Sequence, residues 1–151
     1  MNYLIDVNVW VALALIGHVH HAVAREWFGQ LESDRLVFCR VTQKGLLRLL
    51  TNRRVMEDNV LSAAGAWRVY DSLCADERVQ YAIEPPRLEG HWRELTRQRG
   101  AGPNFWTDAY LTAFAQAGDY TVVTFDRGLA RHRRTQVRLL DPKADLNAAE
   151  V

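Results

Sequence analysis

A chain of 151 residues is long enough to bury one substantial core and too short for two comfortable ones, so one domain is expected. Hydrophobic residues make up 48% and charged residues 25%, which excludes a disordered chain, and a formal net charge of +1 excludes a protein that attracts polyanions by total charge alone. The longest apolar stretch, Val7 to Ile16, is interrupted by Asn8 and falls short of the roughly 20 residues that span a bilayer. No basic segment precedes it and no small-residue cleavage site follows, so a cytoplasmic protein with no membrane contact is expected.

Strand and helix signals alternate along the chain, the pattern of an α/β domain with a mostly parallel central sheet. Tyr3-Leu4-Ile5 reads as a buried strand ending at Asp6, and Asn8 is placed to start a helix carrying Val9, Trp10, Leu13 and Ile16, closed by Gly17. A second helix is expected from Val19 to Leu31, and Leu36 to Cys39 forms the second strand. Thr42 is placed to cap a helix with Leu46, Leu47, Leu49 and Leu50, stopping near Thr51-Asn52, and a longer helix follows from about Asn59 to Cys74. Val79 to Ile83 reads as the third strand, ended by Pro85-Pro86, and Leu88 to Arg97 as a helix. The segment Gly100-Ala101-Gly102-Pro103-Asn104 breaks both periodicities and reads as a loop. Thr107 then caps a helix with Asp108 in its first turn, Gly118 ends it, and Thr121 to Phe125 is a strand running into Asp126. Leu139-Leu140 adds an edge strand, so the domain covers 1–141 and residues 142–151 form a polar tail.

Two buried strands that each end in an aspartate matter because ligands of open parallel sheets bind at the carboxyl ends of the strands. Asp6 and Asp126 are therefore placed to share a site, and Asp108 is a third acidic candidate. Each has a structural alternative: strand-end aspartates cap turns, and an acid in a first helical turn offsets the helix dipole. Taken together, the three form an oxygen donor set suited to Mg²⁺ or Mn²⁺. Beside Asp126 lie Arg127, Arg131, His132, Arg133, Arg134 and Arg138, which can face a phosphate backbone or simply form a solvated arginine-rich surface. His18, His20 and His21 lack the spacing of a helical metal pair and read as a polar loop and helix start, and Cys39 and Cys74 read as reduced thiols. The five tryptophans stand mostly at helical spacing from other apolar residues and are assigned to the core, with Trp106 singled out as a possible base-stacking surface beside Asp108.

The blocks Asp6-Val-Asn8-Val-Trp10, Thr107-Asp108-Ala109-Tyr110-Leu111 and Thr124-Phe-Asp126-Arg-Gly128, in that order, resemble the motifs of PIN domains, and more narrowly of VapC-type toxins of toxin–antitoxin pairs. The resemblance implies a three-layer α/β/α domain, metal-dependent cleavage of RNA, a cognate antitoxin as partner, and a homodimer. It places Asp6, Asp108 and Asp126 among the metal-site residues, with Asn8, Asn104 and Thr124 as supporting polar groups. Gln43 stands where many relatives carry a glutamate. An amide oxygen can still reach a metal or orient a water, but it brings no charge and no base, so a weaker or single-ion site is expected.

From these ligands the expected chemistry is hydrolysis of a phosphodiester by water activated at a divalent cation, with Arg127 or Arg131 steadying the RNA strand. The competing expectation is a PIN-like module that binds RNA or protein without cutting, impaired by Gln43. A phosphatase of the haloacid dehalogenase type is disfavoured because the position two residues after Asp6 is Asn8, not a second aspartate.

Overall fold

The first strand, β1 (Asn2–Ile5), runs straight into a helix with no loop between, because Asp6 ends the strand and caps the helix at once. Its carboxylate accepts from the Val7 backbone N–H at 2.7 Å, and α1 (Val7–Ala14) begins there. The same construction recurs in this computed structural model, which describes residues 1–98, 100, 102–131 and 135–141. Thus β2 (Arg35–Phe38) passes through Cys39 into α3 (Arg40–Leu50), and β4 (Thr121–Thr124) passes into α8 (Arg127–Ala130), capped by Asp126. The remaining elements are α2 (His21–Gly29), the short α4 (Arg53–Met56), α5 (Ala63–Cys74), β3 (Val79–Tyr81), α6 (Leu88–Leu95), α7 (Phe105–Gly118) and β5 (Val137–Leu139). Ala101, His132, Arg133, Arg134 and the tail 142–151 lie outside the described residues.

The sheet has the order β3-β2-β1-β4-β5, and all four pairings are parallel. Both faces are covered, which is why the central strands are continuous apolar runs rather than alternating ones. Successive side chains still go to opposite layers: Ile5, Phe38 and Val123 join one core with α1, α2, α3 and α5, while Leu4, Val37 and Val122 join another with α6 and α7. The three-layer α/β/α arrangement follows. Within the first core Trp10 stacks on Phe38 with ring centroids 3.9 Å apart. Helices α1 and α3 approach so closely that a Cβ on Gly45 would stand 2.5 Å from a Val7 methyl.

Several expected boundaries move. Asn8, Thr42 and Thr107 are not caps: the capping positions are Asp6, Cys39 and Asn104. Each expected cap lies two or three residues inside its helix because the strand tip, or the residue just before the helix, already makes the turn. Thr42 keeps part of the expected role, since its hydroxyl accepts from the Cys39 N–H at 3.0 Å. The helix expected from Asn59 starts at Ala63 under a Ser62 cap, with a separate short helix and a 3₁₀ turn before it. The helix closing before Gly17 ends at Ala14. Trp10 and Trp27 are buried as expected, but Trp67 and Trp106 are 47% and 62% exposed, so the core does not hold all five.

Candidate functional site

Parallel pairing of β1 with β4 brings Ile5 opposite Val123, so the next residues of both strands emerge side by side at the carboxyl edge. A single hydroxyl organises them. Thr124 Oγ1 donates to Asp6 Oδ2 at 2.7 Å, and accepts from the Asp126 backbone N–H at 2.9 Å and from Asn8 Nδ2 at 3.3 Å. One donor and two acceptor positions are the full capacity of a threonine hydroxyl, and Thr124 is fully buried, so its rotation is fixed. Asn8 closes the arrangement by accepting from the Phe125 N–H through Oδ1 at 3.3 Å. Asp126 Oδ1 accepts from the Gly128 N–H at 2.6 Å, which orients it at the start of α8.

The third acid, Asp108, sits in the first turn of α7. Burial, then the charges of Asp126 and Asp6, push its carboxyl up to about 6. Asp6 is also raised, chiefly by burial and further by Asp126, against the lowering effect of the Thr124 and Val7 hydrogen bonds. The three aspartates therefore feel one another's charge. Among the described residues none of them has an ion-pair partner. Nor, among the described residues, do three or more His, Cys, Asp or Glu side chains form a group that by itself could hold a metal ion. An oxygen site with one or two carboxylates, completed by water and substrate oxygens, is nonetheless the ordinary form of a Mg²⁺ site.

The other expected residues are placed as follows. Asn8 and Thr124 belong to the hub. Asn104 precedes α7 and is exposed; its side chain makes no capping bond, while its carbonyl accepts from the Asp108 N–H at 2.8 Å. Gln43 is buried on α3, makes no hydrogen bond to the three aspartates, and accepts from Arg40 Nη1 at 2.6 Å. Arg127 is held by Asp141 at 2.7 Å, on the β5 side, and Arg131 is exposed. His18, His20 and His21 form no metal cluster, and His20 instead stacks on Phe125 at 4.7 Å between Thr124 and Asp126. Cys39 and Cys74 are free thiols. Arg40 was not singled out by the sequence, although its place directly after a strand end was a usable signal.

The PIN domain model matches residues 3–134. Ribonuclease VapC41 of Mycobacterium tuberculosis is 41% identical over 142 residues, covering 91% of this chain and 97% of that protein. Ribonuclease VapC39 of the same species is 31% identical, covering 86% and 92%. Among solved structures, VapBC2 of Rickettsia felis bound to a promoter DNA fragment superposes with a TM-score of 0.66 at 14% identity, covering 93% of this chain and all of that one. The sarcin-ricin loop cleaving toxin VapC20 of M. tuberculosis gives 0.64 at 17% identity, covering 85% and 92%, and at such identities both support the fold alone. Three motif blocks in order, an all-parallel sheet with aspartates at its carboxyl edge, and relatives matched over nearly their whole length make this chain a member of the PIN domain family, within its VapC group.

Proposed function

We propose that the chain is a metal-dependent endoribonuclease acting as the toxin of a toxin–antitoxin pair. The observation that carries this reading is the trio Asp6, Asp108 and Asp126: like charges that feel one another at one sheet edge with no ion-pair partner among the described residues. Such an arrangement costs stability, and a ligand that supplies positive charge relieves it. The donor set is all oxygen, which fits Mg²⁺ or Mn²⁺ and not a soft-ligand metal. Asp6, oriented by Thr124, and Asp126, oriented by the Gly128 N–H, would hold the ion, with Asp108 beside them. A bound divalent cation supplies Lewis acidity and offsets charge developing on phosphate oxygens.

The chain's own residues do the rest. Thr124, itself held by Asn8, fixes the Asp6 carboxylate and the Gly128 N–H fixes that of Asp126, so little reorganisation is needed when substrate arrives. Asp108, its carboxyl raised to about 6 by burial and by the neighbouring acids, is placed to take up or release a proton around neutral pH. Gln43 holds Arg40 at the rim and so acts by positioning. The substrate class comes from the VapC ribonucleases to which the chain is similar. By the same route, from the similarity to VapC ribonucleases and to the fold of VapBC-1 of Haemophilus influenzae, a small antitoxin is proposed as partner of this chain, and a cationic residue on it would complement the acidic site. A homodimer and a cytoplasmic location belong to the same proposal; among the described residues no helix is long and apolar enough to cross a membrane.

The test is cleavage of a pool of cellular RNA with Mg²⁺, Mn²⁺ or EDTA, beside Asp6→Ala. Metal-dependent cutting lost in Asp6→Ala is expected. RNA binding with no cutting in any metal, unchanged by Asp6→Ala, sinks the nuclease reading and favours the binding module that Gln43 raises.

A further inference from the structure

On the β3 side of the acidic centre, α3 and α5 enclose a cleft of about 390 Å³ lined by Arg40, Gln43, Lys44, Arg48, Ala66 and Trp67, among others. Its composition differs from that of the acidic centre. Three cations line it and no acid does. Among the described residues the side-chain nitrogens of Lys44 and Arg48 have no hydrogen-bond or ion-pair partner, and both residues are exposed. Trp67 presents 47% of its surface to solvent and is held edge-on by Tyr70 at 5.7 Å. Arg40 lies over the Tyr81 ring at 4.9 Å and donates to Gln43, so its guanidinium is fixed at the mouth.

The place of the cleft in the fold is equally specific. Helix α3 springs from the carboxyl end of β2, the strand next to β1, and Tyr81 ends β3, the strand beyond it. The cleft therefore continues the same sheet edge that carries Asp6 and Asp126. A half-exposed indole beside cationic side chains that are unpaired among the described residues suits a ligand that is flat, aromatic and anionic, which is the chemistry of a nucleotide in a single strand. We propose that this cleft is a nucleotide subsite, in which Trp67 stacks on an unpaired base while Lys44 and Arg48 contact the flanking phosphates of the strand entering the acidic centre. The inference rests on the ribonuclease reading and names the face by which that substrate is held.

The experiment is fluorescence anisotropy of a labelled single-stranded oligouridylate in EDTA, so that nothing is cut, with full-length wild type, Trp67→Leu, Trp67→Phe and the Lys44→Ala/Arg48→Ala double variant. Trp67→Leu should weaken binding by about 5- to 150-fold, the range for loss of one stacked base, and Trp67→Phe should recover part of it. The double variant should lower the slope of log affinity against log salt by about 1.4, the value for two phosphate contacts on a single strand. Thermal unfolding of each variant, unchanged within a few degrees, separates lost contact from lost fold. Wild type that cuts RNA and loses cutting in Asp6→Ala, yet binds unchanged in every cleft variant, overturns this inference alone. A wild type that neither binds nor cuts overturns both. Trp67→Leu that shifts the sedimentation coefficient and leaves RNA affinity untouched also overturns it, in favour of a second copy of the chain on this face.

Discussion

Replacing Asp108 by Asn should make the metal-free protein more stable at neutral pH while removing its response to metal. The folded-state carboxyl titrates near 6, against an ordinary value of 3.8, because burial and the charges of Asp126 and Asp6 disfavour its ionised form. The folded protein thus holds a proton between about pH 4 and 6 that the unfolded chain has released. Stability falls as pH rises through that window, and the whole loss is present above pH 6. Two units correspond to about 3 kcal/mol for a fully shielded group, but the side chain is only half buried, and solvent screening reduces this to about 1 kcal/mol. The dipole of α7 favours the acid by a few tenths of a kcal/mol in the opposite sense, small at the fourth helical position. The expected net gain for Asp108→Asn in EDTA at pH 7.5 is a rise in Tm of about 2–4 °C, shrinking to nothing by pH 4. Adding Mn²⁺ should raise Tm in wild type by mass action and move the variant far less. The assay is differential scanning calorimetry at four pH values with and without metal. A variant no more stable than wild type at pH 7.5, or one whose advantage persists at pH 4, refutes the electrostatic account of this site.

Thr124→Val keeps the shape of the buried hub and removes its three hydrogen bonds, so unfolding free energy should drop by about 2 kcal/mol and cleavage should fall, while Thr124→Ser should keep most of both; denaturant titration and RNA cleavage read the two effects. Gly45→Ala gains helix propensity of about 1 kcal/mol but drives a methyl to 2.5 Å from Val7, and overpacking should leave a net loss of about 1–2 kcal/mol, relieved in the Gly45→Ala/Val7→Ala pair. Arg78→Lys should destabilise by about 1–2 kcal/mol in urea, because a lysine cannot reproduce the paired contact with Asp76, the hydrogen bonds to the Phe28 and Leu31 carbonyls and the stacking over Phe28 at 4.1 Å; an unchanged midpoint would show those contacts to be worth no more than solvent. Gln43→Glu should convert the bond from Arg40 into an ion pair and leave the Mn²⁺ concentration for half-maximal cleavage nearly unchanged, whereas a marked fall in that concentration would assign position 43 to the metal.

The sheet and its acids were legible because they depend on local pattern: short apolar runs between helical signals, each ending in a carboxylate. Register then follows from the parallel order, which no single run reveals. The hub was only partly legible. Thr124 and Asn8 are 116 positions apart, and neither has a pattern that announces a bond to the other. Capping propensity selects Asn8, Thr42 and Thr107, yet the turns are made before them: at Asp6 and Cys39, where a strand tip that becomes a helix start leaves no separate loop for a cap, and at Asn104, which ends the loop leading into α7. Trp67 shows the limit of periodicity most clearly. Its spacing from Tyr70 and Leu73 is helical, which places it on a packed side of α5, but spacing alone does not say where the neighbouring helix stops covering that side.

That limit bears on how a molecule of net charge +1 can hold a polyanion at a site built from three acids. The charges are unevenly spread: the aspartates occupy the centre of the sheet edge at β1, β4 and the start of α7, Arg127 beside Asp126 is tied to Asp141, and Lys44 and Arg48, whose side chains are unpaired among the described residues, stand on α3, which leaves from the adjacent strand. A phosphate chain laid along the edge meets attraction first over α3 and repulsion over Asp6 and Asp126, and only a divalent cation between them reverses the second. Binding at the cleft should therefore be nearly independent of metal, whereas occupation of the acidic centre should require it. Footprinting of a bound strand in EDTA and in Ca²⁺, which fills oxygen sites, should show protection over the cleft in both and over the scissile nucleotides in Ca²⁺ alone. Equal protection of both regions in EDTA would mean that the aspartates do not repel the strand, and the charge separation along the sheet edge would have no part in how RNA is held.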